Sequence, residues 1–375
     1  MQMQQIARGW LAYNLTESPL ALGIIMFSFS SPMAIFSLFG GALADRFPKI
    51  KLLIIVHSLN IILVFMLGIL ISFGIIKFWH LIVFGIINGS LIALQVPSRQ
   101  SLVPEIVKET SLINAVALNT SGQNLARIIG PAVAGTIIAI SGTAIVFYTI
   151  GFIYIVSILC IYQVRVKQRI IRNSEGIFKD INQGFKYVFG NSTLRNLIIL
   201  AFMSMLIGMM AFQSLMPAWS VEALGVGAEG LGLLMSMMGI GAVFGALFIA
   251  SLGSYHRKGL ILIGATITWS IFLFIFSKST DLSLALALLV IIGFFSATFL
   301  ALNQSLVQLH AAREMRGRVM SITVMTWGLM PFGVLPIAAL AEQIGTPNSL
   351  ALSSIILCIF GLVFAILNRR FITNI

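Results

Sequence analysis

Residues 52–74 read Leu-Leu-Ile-Ile-Val-His-Ser-Leu-Asn-Ile-Ile-Leu-Val-Phe-Met-Leu-Gly-Ile-Leu-Ile-Ser-Phe-Gly, with no Asp, Glu, Lys or Arg between Lys51 and Lys77. About 20 apolar residues in a helix cross the hydrocarbon core of a bilayer. The run is continuous and lacks the period-two alternation of a membrane β-barrel strand, so it predicts a transmembrane helix. Runs of this kind recur along the whole chain, bounded by charge or by Pro and Gly. Eleven are complete, near 20–43, 52–74, 78–98, 113–140, 143–163, 195–217, 230–252, 259–277, 282–304, 319–341 and 349–367. Ahead of them, Met1–Leu15 carries Gln2, Gln4, Gln5 and Arg8 and is too short and polar to span alone.

Composition agrees with the pattern. Of 375 residues, 59% are hydrophobic and 9% charged, and the mean hydropathy is +1.04. A soluble domain carries about 25% charged residues, so this chain has too few charges to coat a water-soluble fold. At about 30 residues per span and connector, the length holds about twelve helices. Cys160 and Cys358 lie in apolar runs and read as small hydrophobes, with no metal site or cofactor implied.

The net charge of +12 has a topological reading. Alternating the connectors from the Asp45–Lys51 segment puts 19 of the 23 basic residues on one side, seven of them between Arg165 and Arg195. Lys77 and Lys278 lie opposite, and Arg8 and Arg127 fall within helices. That asymmetry is the positive-inside pattern of a cytoplasmic membrane. It places the C-terminus in the cytoplasm and removes the basis for nucleic-acid binding. With eleven spans and an inner C-terminus, residue 16 lies outside and Met1 begins within the membrane. The count therefore predicts that about 20–30 residues of a first helix and leader are missing at the N-terminus.

An internal repeat divides the chain. Gly41-Ala42-Leu43 recurs as Gly245-Ala246-Leu247, Gly89 meets Gly293, and Gln100-Ser101-Leu102-Val103 meets Gln304-Ser305-Leu306-Val307, all at a shift of 204. The shift equals six spans plus a long central loop. The expected fold is an all-α polytopic membrane protein of two six-helix halves, 1–163 and 195–375, with the first helix incomplete. Residues 164–194 form an amphipathic cytoplasmic linker. Parallel halves of this kind place the substrate site between them near the midplane. In the linker Ile177, Phe178, Ile181, Phe185, Val188 and Phe189 recur at helical spacing among Lys179, Asp180 and Lys186. Such a helix either rests on anionic lipid headgroups or is a solvated tether.

Three segments carry further signal. In Gly41-Ala-Leu-Ala-Asp45-Arg46-Phe-Pro48-Lys49-Ile-Lys51, Gly41 permits close helix approach and Asp45 closes a helix at the inner face. Arg46, Lys49 and Lys51 face the headgroups. In the fifth span, Gln123-Asn124-Leu-Ala-Arg127-Ile-Ile-Gly130-Pro131-Ala-Val-Ala-Gly135 combines a polar stripe with a kinking proline. An arginine there costs about 2.5–3.5 kcal/mol to insert, so Arg127 faces a wet cavity or a structural partner. Third, Arg313-Glu314-Met-Arg316-Gly317-Arg318 enters the eleventh-helix segment as a basic inner loop. All eleven acids lie in loops or at span ends. A proton-coupling carboxylate would then come from the missing segment or from Glu17, Asp45 or Glu342. His57, without a nearby carboxylate in sequence, reads more simply as packed.

The first segment resembles motif A of the major facilitator superfamily, with Pro48 in place of the usual second glycine. The second resembles that superfamily's motif C, a feature of its exporters. With the opening Gln4-Gln5-x-Ala7-x-Gly9-Trp10, they resemble the secretion-effector branch, which includes enterobactin-exporter and macrolide-efflux proteins. The resemblance implies a major facilitator fold and a proton-coupled exporter of small amphiphiles of drug, macrolide or siderophore type. It implies a motif A gate at Gly41, Asp45, Arg46, Lys49 and Lys51, a motif C kink at Gly130, Pro131 and Gly135, and an inner gate at Arg316, Gly317 and Arg318. Arg8, Gln123, Asn124 and Arg127 are the cavity candidates, and Met-rich stretches at Met203–Met216 and Met235–Met238 suit a pliable wall. Two cationic candidates and no midplane acid predict neutral or anionic substrates over cations. The expected setting is a monomer among membrane lipids of the bacterial cytoplasmic membrane. Uptake by the same fold is one rival, and a polytopic sensor or enzyme is another. The short connectors hold no metal, nucleotide or nucleophile motif and leave no room for a catalytic domain.

Overall fold

A computed structural model describes the chain except residues 47, 108–110, 165–176, 252–256, 313–314, 316–318, 320–321, 323–330 and 370–375. For 37–46, 100–101, 103–105, 112–114, 116–117, 120–121, 177–182, 250 and 331 it describes the backbone alone. The described residues are helical throughout, without a strand. In chain order the helices are α1 (Gln2–Thr16), α2 (Pro19–Arg46), α3 (Lys49–Ser72), α4 (Phe78–Ile106), α5 (Leu112–Ser141), α6 (Thr143–Tyr162) and α7 (Ile177–Gly190). Then come α8 (Ser192–Ser204), a π-helical turn (Met205–Met209), α9 (Met210–Leu224), α10 (Ala228–Ser251), α11 (Lys258–Ser277) and α12 (Leu282–His310). The last two are α13 (Pro331–Ile344) and α14 (Thr346–Leu367).

Ten helical segments among the described residues are long and apolar enough to cross a membrane, with α8, the π turn and α9 forming one of them. The expected span at 319–341 is described in its later part, as α13. The segment before α2 is a helix of 15 residues, in keeping with its reading as too short to span. Lipid-facing positions carry Ile140, Phe152, Ile366 and Leu367, all more than half exposed. In water such a surface would aggregate; in a bilayer it is the solvated face.

The repeat is visible in the packing. The bounds of α12 are those of α4 shifted by 204, from Phe78–Ile106 to Leu282–His310. α2 packs on α4 and α3 on α6 in the first half, as α10 packs on α12 and α11 on α14 in the second. Each half also turns between its last two helices through a single glycine. Gly142 and Gly345 both have φ +82°, a left-handed conformation that joins consecutive spans in one residue. The halves meet along α5 against α10 and α2 against α13, which frames a central space bounded by α1 and α9.

Side-chain caps fix several ends. Asn191 accepts from the backbone N–H groups of Thr193 and Leu194 at the start of α8. Asp281 accepts from Leu284 at 2.7 Å at the start of α12. The linker helix α7 packs on the second half, where Val188 joins the cluster of Leu194, Leu197 and Leu306. The Tyr187 hydroxyl accepts from the Ala312 N–H at 3.1 Å. Half of its apolar stripe, Ile177, Phe178 and Ile181, lies outside the described side chains.

Candidate functional site

The central space is lined by α1 and α2 from the first half and by α9 and α10 from the second. α1 brings Gln5 and Arg8, α2 Leu22 and Met26, α9 Gln213, Ser214 and Met216, and α10 Leu231 and Met235. Helix approach here depends on Gly9, where an added Cβ would lie 3.1 Å from Cγ of Pro217 on α9. The space is about 40 Å³, which holds a few water molecules and no drug-sized body. Its wall is apolar apart from α1 and the Gln213–Ser214 pair.

Arg8 dominates the chemistry. It is 5% exposed, and its guanidinium carbon stands 4.8 Å from the centre of the Phe29 ring on α2. A desolvated cation over an aromatic face gains about 2 kcal/mol, which offsets part of the insertion cost. Nη1 has no hydrogen-bond partner among the described residues, and neither has Nε2 of Gln4, one turn earlier on the same face and 3% exposed.

The bundle is closed at the end that carries the α1–α2 and α9–α10 connections, called the Glu342 face below. There Glu342 Oε2 accepts from Ser18 Oγ at 2.7 Å and from the Leu20 N–H at 3.1 Å. Within the second half, Glu222 accepts from the Thr346 N–H and hydroxyl at 2.8 and 2.7 Å. Deeper in, Gly23 packs on Ala338, and Gly135 on Gly232 with their Cα-level surfaces in contact. Phe27 meets Phe332 edge-on at 5.3 Å. At mid-helix, Ser236 Oγ donates to the Ile128 carbonyl at 2.7 Å. The described contacts between halves thus run from the Glu342 face to the middle of the helices.

The sequence candidates separate in space. Arg8 lines the central space. Gln123 and Arg127 are exposed, Asn124 is half-buried, and none of the three lines it. The motif C residues serve helix packing. A Cβ on Gly130 would fall 2.9 Å from Cβ of Gln2 on α1, and Pro131 is buried inside α5 with its carbonyl against Gly232. Gly41, Asp45 and Arg46 occupy the last two turns of α2, with side chains outside the described set. Lys49 is half-buried and Lys51 exposed at the start of α3. Arg316, Gly317 and Arg318 lie outside the described residues.

His57 is packed away from the central space: its Nε2 is 3.0 Å from Gln95 Nε2, and its ring meets Tyr154 edge-on at 5.2 Å. Trp269 is 1% exposed and packs against Gly208 in the second half. Trp79 remains exposed, stacked on His80 at 3.8 Å. Of the Met-rich stretches, Met216 and Met235 reach the central space, joined by Met26. The π turn at Met205–Met209 was not foreseen. It widens the helix two turns before Gln213, and Ser353 of α14 donates its hydroxyl to the Ile207 carbonyl within it.

Comparison with known proteins decides what this architecture is. The chain matches the family described as transmembrane secretion effectors, a branch of the major facilitator superfamily, over residues 1–372. It belongs to that family. Among similar proteins, the staphyloferrin A transporter of Staphylococcus aureus is 25% identical over 98% of this chain and 92% of its own length. The multidrug efflux pump Tap of Mycolicibacterium fortuitum is 22% identical over 97% and 91%. The crystal structure of a D-xylose-proton symporter superposes with a TM-score of 0.77 over 97% of this chain and 93% of its own, at 14% identity. This secretion-effector family member is therefore a multi-pass major facilitator transporter of small molecules. It is not an enzyme.

Proposed function

We propose that the chain is a secondary active exporter of small amphiphilic molecules, working in the bacterial cytoplasmic membrane as a monomer with its C-terminus in the cytoplasm. Residues 1–163 rock against 195–375 about the central space, with 164–194 as the cytoplasmic tether lying on lipid headgroups. The carrying observation is that space itself: polar groups from α1 and α9 face each other at mid-membrane, sealed from the Glu342 face by small-residue contacts and one carboxylate. The space is small, so a substrate is admitted only as the halves part. Met26, Met216 and Met235 give it a wall that re-packs around varied apolar bodies.

Export is supported by similarity to an efflux pump and by the Gly130-Pro131 pattern. The motif A segment is the gate on the opposite face, and Arg316–Arg318 its counterpart in the second half. Proton coupling would use a carboxylate at one mouth or the other, Glu17, Asp45 or Glu342, since every acid in the sequence lies in a loop or at a span end. The test is flux in oriented vesicles. Everted vesicles containing the protein should accumulate labelled amphiphiles when energised and lose them on adding a protonophore. Accumulation confined to right-side-out vesicles would make it an uptake carrier.

A further inference from the structure

We propose that Arg8 and Gln4 form a subsite for a carboxylate carried by the transported molecule, with Gln213 bordering it from the opposite half. The inference rests on the transport reading above and names the substrate chemistry. Arg8 lines the central space; its Nη1 and, one turn away on the same face of α1 and outside that lining, Gln4 Nε2 are buried donors with no acceptor among the described residues. Buried donors in folded proteins are almost always paired, so an orphan pair marks a place for a group absent from the chain. Water would satisfy the hydrogen bonds and leave the cation uncompensated. A carboxylate neutralises the charge on Arg8, and its second oxygen is free to accept from Gln4 one turn away.

The surroundings restrict the choice further. No acid lies at mid-span in this sequence. Phe29 covers one face of the guanidinium, so the anion approaches along its edge, where Nη1 is unpaired. The space of about 40 Å³ fits a headgroup of about three heavy atoms. Beyond it the wall is Met26, Leu231 and Met235, which suits an apolar body attached to that headgroup. Gln5 from α1 and Gln213 from α9 border the same space, so the bound anion contacts both halves.

Equilibrium binding in lipid nanodiscs tests this with three probes on one naphthalene body: 1-naphthoate, its isostere 1-naphthamide, and 1-naphthylmethylammonium. A charge-assisted pair predicts that naphthoate binds about tenfold tighter than naphthamide or better, with the cation weakest. Arg8→Gln should bring naphthoate down to the naphthamide level, and Gln4→Leu should weaken naphthoate alone, by about threefold. If Arg8→Gln fails to insert, the wild-type ranking and Gln4→Leu decide. Equal binding of the three probes, no binding of naphthoate, or an unchanged ranking in the variants overturns the subsite; an internal carboxylate paired with Arg8 would give that result. The nanodisc assay has no gradient or direction. Intact naphthoate preference with no vesicle flux therefore removes the transport reading alone, and flux indifferent to Arg8→Gln removes the subsite alone.

Discussion

Ser18 and Glu342, 324 positions apart in sequence, are joined by a 2.7 Å hydrogen bond across the two halves. Ser18 also caps α2, accepting from the Ala21 N–H at 3.3 Å, while the same Glu342 oxygen accepts from the Leu20 N–H. One carboxylate therefore holds a helix N-terminus, where the helix dipole favours negative charge. Because the site is exposed, the gain is modest, about 1 kcal/mol after solvent screening. Glu342→Gln should loosen the closed end and raise the open population several-fold. With Cys160 and Cys358 replaced, a cysteine at Leu22 reports this through labelling by an impermeant maleimide from the Glu342 face. Labelling no faster than in the parent would show that the clasp does not hold the seal.

Gly135 and Gly232 let α5 and α10 approach closely. A Cβ on Gly135 would lie 3.0 Å from Gly232 Cα and would also press on the Ala228 carbonyl. Backbone cannot give way as a flexible side chain does, so over-packing here costs about 1–3 kcal/mol in the closed state. Gly232→Val should abolish most vesicle transport while leaving membrane insertion intact. Gly122→Ala, at an exposed position where a Cβ meets nothing, should transport as the parent does. Equal loss in both variants would remove helix approach as the cause.

The bundle was legible because lipid demands long uninterrupted apolar helices, and the 204-residue shift in Gly and Gln-Ser-Leu-Val blocks corresponds to the match of α4 with α12. Arg8 was legible as a charge inside a helix. Gln4 was not, since a glutamine one turn from an arginine becomes informative only once both prove buried and partnerless. The polar stripe of Gln123, Asn124 and Arg127 shows the opposite limit: periodicity puts the three near one face of α5, but neighbouring helices decide which space that face meets. The π turn had no local signal, because its partner Ser353 is 146 positions away from Ile207.

Inside the first half, Asn88 Nδ2 donates to Asn60 Oδ1 at 2.7 Å, and Asn60 Nδ2 donates to the Val56 carbonyl at 3.0 Å. Both asparagines are buried. Asn88→Leu leaves Asn60 Oδ1 without its donor and should cost about 1 kcal/mol, the scale of such bonds within membranes. The double change Asn60→Leu with Asn88→Leu should recover much of that loss, because neither polar group is then left unpaired. Thermal unfolding in detergent measures both. Additive losses in the double variant would contradict the pairing.

Asp45 stands one residue before the end of α2, on the face opposite Glu342. Under the gate reading, Asp45→Asn removes the charge that locks this face, so insertion and melting temperature should hold while export falls by about tenfold. A variant that transports like the parent would leave the motif A segment without a gating role.

Ser353 tests whether the widened turn positions the cavity wall. Its hydroxyl holds the Ile207 carbonyl inside the π turn, and Gln213, Ser214 and Met216 follow on α9. With the bond gone, the extra residue of the turn is free to migrate along the helix. Each residue it passes rotates by about 100°, enough to carry Gln213 out of the central space. Ser353→Ala should therefore reduce transport with little change in yield, and maleimide labelling of a cysteine at Gln213 should shift. Ser353→Thr keeps the hydroxyl and should preserve both. If Ser353→Ala leaves labelling and flux unchanged, the register of α9 is set by its own packing, through Phe212 and Trp219 on Phe276, and not from α14.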